Sequence, residues 1–217
     1  MFTRPTSRPP WLGVGNLKGW LAERYRAWLT ERRWRALRSL GMRIGVNVNL
    51  PRSVWIDTSH CHLISIGDHC GFGDGVCILA HDALANEFLD ATRVGQVTIR
   101  ESCHIGARTV ILPGVEIGPR AIVGANSVVT RSIPADSVAA GNPAKVLCTL
   151  TEYLARHRAR LERAPRFPYH ESDIRSMSET AKARMRALLA EGDGYIVGGY
   201  AAQLEGNTDQ RVTAKPV

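Results

Sequence analysis

An aliphatic residue occupies every sixth position between residues 99 and 134 of this 217-residue chain. Six residues turn an α-helix through about 600°, so a six-residue stripe drifts around a helix and never forms one face. Extended structure is compatible with the period, because six is a multiple of the two-residue repeat of a strand. The positions that share this feature are Ile99, Ile105, Ile111, Ile117, Val123 and Val129.

A second position of the repeat, four places after the aliphatic residue, carries Cys103, Thr109, Val115, Ala121 and Ser127. Glycine directly follows the aliphatic residue three times, at Gly106, Gly118 and Gly124. A coil of short parallel strands joined by sharp corners generates this pattern, since each coil stacks its inward residues on the next. The period therefore predicts an all-β solenoid.

The same phase is present in two earlier blocks, formed by Ile44, Leu50 and Ile56 and by Ile66, Phe72 and Ile78. It slips between the blocks and breaks again over residues 80–98, which we interpret as a loop extruded from the solenoid. We divide the chain into a basic segment and amphipathic helix (1–41), the repeat domain (42–148), and C-terminal helices with a tail that we expect to be disordered from about Glu205 (149–217).

The positive charge of the chain is concentrated at its N-terminus. The net charge is +8, and residues 1–40 hold Lys18 and eight arginines against Glu23 and Glu31. Because these charges lie on one predicted helix and not along the repeats, we expect no nucleic-acid partner. One stripe of this helix either packs on the solenoid or a partner subunit, or lies on an anionic membrane surface as a peripheral anchor. The stripe comprises Trp20, Leu21, Trp28, Trp34 and Leu37.

No apolar run approaches the roughly 20 residues that span a bilayer, and the N-terminus lacks the apolar core of a signal peptide. We therefore expect a cytoplasmic protein, placed at the inner membrane face if the N-terminal helix binds lipid. The five cysteines have no framework spacing, which is typical of reduced thiols.

Three stretches of the late repeats, "IGARTVILPGVEIG", "IVGANSVVTRSIP" and "AAGNPAKV", resemble the signature of one family. These are the hexapeptide-repeat acyltransferases of the galactoside, maltose and nodulation-factor acetyltransferase type, and the resemblance covers residues 44–148. It implies a left-handed parallel β-helix with three hexapeptides per coil. It also implies a homotrimer with active sites between subunits, and an acyl-CoA co-substrate, mostly acetyl-CoA.

The resemblance assigns the catalytic base to His81, which opens the extruded loop. An imidazole with an ordinary pKa near 6.5 suits general-base work at neutral pH. Asp82 either orients that ring or is a solvated aspartate, and Asp57 either contacts the acceptor or bonds its own turn. We expect His60 and His62 on the acceptor side. No serine or cysteine lies in a nucleophile motif, so we expect direct transfer in a ternary complex.

The donor-binding residues implied by the resemblance lie in the late coils. Backbone amides would lie near the thioester, small residues along the pantetheine arm, and cations near the phosphates of the coenzyme. The small residues also suit tight corners of the coil. A histidine stands where many relatives have an aromatic residue. The predicted donor residues are His104, Gly106, Ala107, Gly124, Ala125, Thr130, Arg131 and Lys145.

Histidine and cysteine also cluster at residues 60–62 and 69–70, but adjacent strand residues point to opposite faces, so we expect no metal. The predicted function is O-acylation of a sugar, glycan or glycolipid hydroxyl, such as occurs in polysaccharide biosynthesis. The alternatives are N-acetylation of a nucleotide-linked amino sugar, acylation of a drug or free amino acid, and a non-catalytic β-helix scaffold. A zinc-dependent carbonic anhydrase on the same fold would require bound metal.

Overall fold

The structure, a computed structural model, describes residues 17–174 and 176–199. The tail predicted from Glu205 lies outside this part of the chain. In chain order the elements are α1 (Leu17–Ser39), β1 (Arg43–Ile44), β2 (Trp55–Ile56), a 3₁₀ turn (Cys61–Leu63), β3 (Ile64–Ile66), β4 (Gly71–Phe72), β5 (Cys77–Ile78), β6 (His81–Asp82), α2 (Asn86–Leu89), β7 (Arg93–Val94), β8 (Val97–Ile99), β9 (His104–Ile105), β10 (Val110–Ile111), β11 (Glu116–Ile117), β12 (Ile122–Val123), β13 (Val128–Val129), β14 (Ser137–Ala140), β15 (Lys145–Thr149), α3 (Leu150–Arg163), β16 (Arg166–Pro168), a 3₁₀ turn (Tyr169–Glu171), α4 (Glu179–Leu188) and β17 (Tyr195–Val197).

Three parallel sheets form the walls of the solenoid, and we call them the first, second and third faces. The first face has the strand order β1-β3-β8-β11, the second β4-β9-β12-β14, and the third β2-β5-β10-β13. Strand β15 closes the second face by pairing antiparallel with β14. The chain visits the faces in rotation, and in the first coil the second face is represented only by the bridge of Asn49 to Gly71. The parallel solenoid predicted from the six-residue period is therefore present.

The stacked aliphatic residues form the core. On the third face Ile56, Ile78, Ile111 and Val129 are in register and buried. The small second position of the repeat is buried as well, at Cys103, Thr109, Val115, Ala121 and Ser127. Thr109 and Ser127 satisfy their hydroxyls inside the coil by donating to the Gly124 carbonyl at 3.1 and 2.6 Å. The interior is thus a continuous apolar column one side chain wide per face.

The coils differ in length, and the difference lies at one corner. Along the first face Ile44 pairs with Ile66, Ile66 with Ile99, and Ile99 with Ile117, which gives spacings of 22, 33 and 18 residues. The corner between the third and first faces accommodates the extra residues, at 57–63 in the first coil and 79–96 in the second. We call this pair of segments the insertion corner. The third coil turns the same corner with residues 112–115 alone, which we call the tight corner.

Helix α1 packs on the first coil through its C-terminal half. Trp34 and Leu37 join the solenoid core, and the Arg33 guanidinium donates to the Val54 carbonyl at 2.6 Å. Met42 donates its N–H to the Leu37 carbonyl at 3.1 Å, and Gly41 has a φ of 95°, a glycine C-cap that ends the helix.

Trp28 of the predicted stripe is 49 % exposed and stacks on Tyr25, so it does not pack on the solenoid of its own chain. Six residues separate Trp28 from Trp34, so the two side chains leave the helix on different faces. Trp20 and Leu21 lie outside the described side chains, and membrane association through this helix stays a prediction. In the described part of the chain, no helix combines the length and apolar character needed to cross a bilayer.

The described chain divides between Leu150 and Thr151 into two compact units. The second unit contains α4 and the parallel pair β16–β17. Ser178 caps α4 by accepting the Ala181 N–H at 3.1 Å, and His157 Nδ1 lies 3.0 Å from the Tyr195 hydroxyl. No described residue from Thr151 onward is buried as deeply as the solenoid core.

Candidate active site

Asp57 is a buried carboxylate at the start of the insertion corner, directly after β2, with 1 % of its surface exposed. Its Oδ1 accepts the Ser59 hydroxyl at 2.6 Å and the backbone N–H groups of Ser59 and His60 at 3.1 and 3.3 Å. This pattern is the turn that an aspartate forms with the residues just after it. One oxygen of Asp57 is thereby fixed by its own loop.

The other oxygen of Asp57 reaches the next coil. Oδ2 accepts the Ala80 N–H at 3.2 Å and lies 2.5 Å from His81 Nδ1. Asp57 and His81 are 24 residues apart in sequence. They meet because each follows a third-face strand, β2 or β5, and those strands pair directly. Stacking of two coils therefore assembles a carboxylate–imidazole pair.

The protonation state of this pair follows from its hydrogen bonds. Burial raises the pKa of Asp57, but the hydrogen bonds from Ser59, His81 and the Ala80 backbone outweigh it and hold the pKa at about 2. At neutral pH the carboxylate is ionised and can only accept hydrogen bonds. Nδ1 of His81 must then carry the hydrogen, which leaves the Nε2 lone pair of the neutral ring available. The His81 side chain is 30 % exposed, so Nε2 can meet a ligand.

His60 lies beside the pair. Its ring centroid is 4.9 Å from that of His81, and its Nδ1 is 3.0 Å from the Ser59 hydroxyl that bonds Asp57. His62 is exposed and 6.3 Å from His60 between ring centroids. The insertion corner thus brings three predicted site residues, Asp57, His60 and His81, into one cluster with His62 at its edge.

Of the two roles considered for Asp82, orienting the His81 ring is not the one it has in the structure. Its Oδ1 accepts the Leu84 N–H at 3.0 Å, and the imidazole of His81 is held by Asp57 instead. Successive residues of a strand point to opposite sides, so a residue next to His81 cannot readily orient its ring. A contact of Asp82 with substrate stays a prediction.

The base of the extruded loop is anchored on both sides of His81. Strands β6 and β7 pair antiparallel, with His81 opposite Val94 and Asp82 opposite Arg93. The Arg93 guanidinium donates to the Pro113 carbonyl at 3.0 Å. A Cβ on Gly95 would lie 2.6 Å from the Gly114 nitrogen, so the returning chain presses directly against the tight corner. By contrast, the loop tip exposes large apolar side chains, at Leu84, Phe88 and Leu89.

The predicted donor residues divide between corners. Gly106, Ala107, Gly124 and Ala125 form a row along the corner that joins the second and third faces. A Cβ on Gly106 would lie 2.4 Å from the Ala125 nitrogen, so coil packing alone already requires this glycine. His104 points outward from β9, above Gly71 of the preceding coil.

The remaining donor residues are exposed and lie elsewhere. Thr130 and Arg131 follow β13 and share the corner of His81, two coils further on, whereas Lys145 lies on β15 opposite Ala140. Within one chain, therefore, the glycine row and His81 occupy different corners of the triangle. In this chain the predicted base shares its corner with Thr130 and Arg131 but not with the glycine row.

The histidine and cysteine cluster noted in the sequence does not converge. Cys61 and Cys70 are buried, and Cys70 Sγ contacts the Arg100 carbonyl at 2.9 Å. Within the described residues, a different set has metal-ligand spacing: one ligand atom each from Asp57, His60 and His81 lies within 4.8 Å of the other two. Sequence spacing missed this set because its members belong to two coils.

Similarity to a known family supports the assignment of the repeats. Residues 96–131 match the family described as "Bacterial transferase hexapeptide (six repeats)". A solved structure of a maltose O-acetyltransferase from Clostridium difficile 630 is 25 % identical and covers 55 % of this chain and 75 % of that one, with a TM-score of 0.46.

Two curated relatives extend the match beyond the repeats. The chain is 33 % identical over 133 residues to the Bacillus subtilis (strain 168) protein named "Putative acetyltransferase YvoF", covering 61 % of this chain and 75 % of the relative. It is 34 % identical over 140 residues to the Escherichia coli (strain K12) "Putative colanic acid biosynthesis acetyltransferase WcaF", covering 53 % of this chain and 74 % of the relative. These matches confirm the predicted enzyme class, and the chain belongs to the family of hexapeptide-repeat acetyltransferases.

Proposed function

We propose that this protein transfers an acetyl group from acetyl-CoA to a hydroxyl of a sugar or glycan, with His81 as general base. The observation that carries the proposal is the 2.5 Å contact between Asp57 Oδ2 and His81 Nδ1. An ionised, buried carboxylate fixes the tautomer and the ring orientation, which a general base requires. A scaffold without catalytic activity has no need of such a pair.

The reaction follows from the free lone pair on His81 Nε2. His81 takes the proton of the acceptor hydroxyl as that oxygen attacks the thioester carbonyl, and Asp57 stabilises the resulting imidazolium. When the C–S bond breaks, His81 returns the proton to the leaving sulfur. The products are the acetyl ester and free coenzyme A, and the enzyme is restored without a covalent intermediate.

The acceptor class rests on the relatives. The name of WcaF refers to colanic acid biosynthesis, and that relative shares 34 % identity over 140 residues with this chain. An acetyl acceptor in that setting is a glycan hydroxyl. We extend the class to this chain, with His60, His62 and Asp82 on the acceptor side of the insertion corner and Asp57 positioning His81.

We further propose that the active enzyme is a homotrimer of left-handed β-helices, as the family resemblance implies. One chain leaves its glycine row and His81 on different corners, so the donor track would be completed by a neighbouring copy. The third face offers an apolar surface for that contact, with Trp55 51 % exposed and three half-buried neighbours in register, Cys77, Val110 and Val128. Arg131 and Lys145 would then contact the coenzyme phosphates.

The test is acetyl transfer by purified protein, followed as thiol release from acetyl-CoA with a series of mono- and oligosaccharides. His81→Ala should lower kcat by about 10²–10⁴-fold, the range typical of a lost general base. Asp57→Asn should lower it by about 100-fold, because an amide can donate to Nδ1 and favour the tautomer that has no lone pair on Nε2. Asp90→Asn is the matched control, since it makes the same change at an exposed position of the same loop.

Two results would contradict the proposal. If His81→Ala keeps the kcat of the wild type, His81 is not the general base. If no saccharide causes thiol release from acetyl-CoA, the acceptor is not a sugar or glycan hydroxyl. Faster transfer to an amino sugar than to its hydroxyl counterpart would redirect the function to N-acetylation.

A further inference from the structure

Three potential ligands of a transition metal converge at the insertion corner. One ligand atom each from Asp57, His60 and His81 lies within 4.8 Å of the other two. Asp57 Oδ2 is 2.5 Å from His81 Nδ1 and 3.8 Å from His60 Nδ1. The carboxylate is buried, and the two imidazoles are each about one-third exposed, 32 % for His60 and 30 % for His81. The cluster therefore opens to solvent on its histidine side.

The donor set selects among metals. Two imidazole nitrogens and one carboxylate oxygen suit Zn²⁺, which binds them at about 2.0–2.2 Å, whereas Ca²⁺ and Mg²⁺ prefer oxygen ligands throughout. Ligands at that distance from a tetrahedral ion lie about 3.3 Å apart. Asp57 and His60 would close by a few tenths of an ångström from 3.8 Å, and the 2.5 Å contact to His81 would lengthen. The ligand atoms of His60 and His81, which lie within 4.8 Å of each other, would approach by up to about 1.5 Å. Rotation of the two imidazoles can supply this change, because each is about one-third exposed.

We propose that Asp57, His60 and His81 form an inhibitory zinc site in which the metal replaces the hydrogen that His81 Nδ1 shares with Asp57. The displaced proton leaves to solvent. The neutral ring then keeps its single hydrogen on Nε2, because its Nδ1 lone pair is bound to the metal. His81 loses the lone pair that accepts the substrate proton, so the bound ion switches off the base.

His60 distinguishes this site from the catalytic pair. Its Nδ1 contacts the Ser59 hydroxyl at 3.0 Å rather than the His81 ring, so removing it leaves the Asp57–His81 contact in place. The same substitution does, in contrast, remove one of the three protein ligands of the metal. The inhibition rests on the proposed function of His81, but the binding does not.

The first experiment measures metal binding without any acceptor. Co²⁺ is titrated into full-length protein stripped with a chelator, visible absorption reports its coordination, and Zn²⁺ is then added as a competitor. We expect one ion per chain in the wild type, displaced by Zn²⁺. His60→Ala and His81→Ala should each weaken binding by about 100-fold, since even loss of an outer-sphere partner costs about 10–100-fold in affinity. His69→Ala is the matched control, because His69 is an exposed histidine at another corner of the coil.

Circular dichroism identifies any variant that does not fold, and His60→Gln then replaces His60→Ala. Binding that is unchanged in the folded His60 variant overturns the site, as does a wild type that takes up no cobalt. The second experiment adds Zn²⁺ to the acetyl-transfer assay. Full activity with the site saturated overturns the inhibition, whereas absence of activity in metal-free buffer contradicts the proposed function and leaves the binding result standing.

Discussion

The corner between the third and first faces is built in two ways along the same solenoid. In the first two coils it admits residues 57–63 and 79–96, which carry Asp57, His60 and His81. In the third coil it is turned by residues 112–115, where Pro113 and Val115 are buried and Gly114 has a φ of 83°. The strands on either side are alike in both places, two or three residues long with a buried aliphatic residue.

A corner has two requirements that one segment cannot easily meet together, to keep the coils in register and to carry a reactive side chain. A corner with no spare residue keeps the coils in register, but it leaves no backbone to carry a reactive side chain. An inserted segment can carry one, and the paired strands beneath hold its ends rigidly. We therefore expect substitutions of buried residues in the late coils to change stability, and substitutions of Asp57 and His81 at the insertion corner to change activity.

The largest expected effect is on the late coils. Ile111→Ala removes most of a fully buried side chain just before the tight corner, which should lower the free energy of unfolding by about 2–5 kcal/mol. Urea unfolding at fixed protein concentration measures it. Below the unfolding transition, kcat per folded molecule should stay near that of the wild type, because no contact of Asp57 or His81 changes.

The control for Ile111→Ala is Glu116→Ala on the adjacent face. Glu116 points outward and pairs with Arg100 at 2.8 Å, with half of each side chain exposed. Exposed pairs of this kind contribute about 0–1 kcal/mol. Equal destabilisation by the two variants would mean that burial of Ile111 is not what stabilises the late coils. Loss of kcat in folded Ile111→Ala would mean that the two regions are not separable.

The fold could be predicted from the sequence because its cause is local and repeated. Every in-phase aliphatic residue from Leu50 to Val129 is buried, and Ile44 at the open end of the first coil is half-buried. The stripe on α1 could not be predicted as well. Trp34 and Leu37 pack on the core while Trp28 is exposed, and this choice depends on where the helix contacts the first coil.

The candidate site was only partly predictable. His81 was identified through resemblance, but its partner Asp57 precedes it by 24 residues, in a segment where the repeat phase slips. A signal was nevertheless present. Counting three hexapeptides per coil places both phase breaks after a third-face strand, at Ile56 and at Ile78, so both insertions leave the solenoid at the same corner. A hydrogen bond between them still depends on side-chain geometry, which counting does not provide.

A smaller effect on the free energy of unfolding should appear at acid pH, and it should come from Asp57 at the insertion corner. Hydrogen bonds hold the pKa of Asp57 at about 2, below its ordinary value of 3.8. A lowered pKa in the folded state gives stability that is present above about pH 4 and is lost as the pH falls towards 2, here about 2 kcal/mol. Urea unfolding of wild type and Asp57→Asn between pH 2 and 7 should show their difference shrinking by that amount over this window. A difference that is constant with pH would mean that folding does not lower the pKa of Asp57.

The smallest expected effect concerns one of the contacts that join the two kinds of corner. Arg93, on the returning strand of the extruded loop, donates to the Pro113 carbonyl of the tight corner at 3.0 Å. Arg93 is exposed, so Arg93→Ala should lower the free energy of unfolding by only about 1 kcal/mol. Strand β7 also pairs with β6, which carries His81, so a looser β7 should reduce kcat several-fold through poorer positioning of the base.

The pH dependence of kcat separates this positioning role from a chemical one. Arg93 does not contact the imidazole, and Asp57 still holds Nδ1 in the variant, so the pH profile of kcat should keep its midpoint while its height falls. Glu87→Ala in α2, an exposed residue of the same loop, should change neither quantity. A shifted midpoint in Arg93→Ala would show that the tight corner acts on the Asp57–His81 pair itself. The two regions would then be coupled through this one hydrogen bond, and stability and activity could not vary independently.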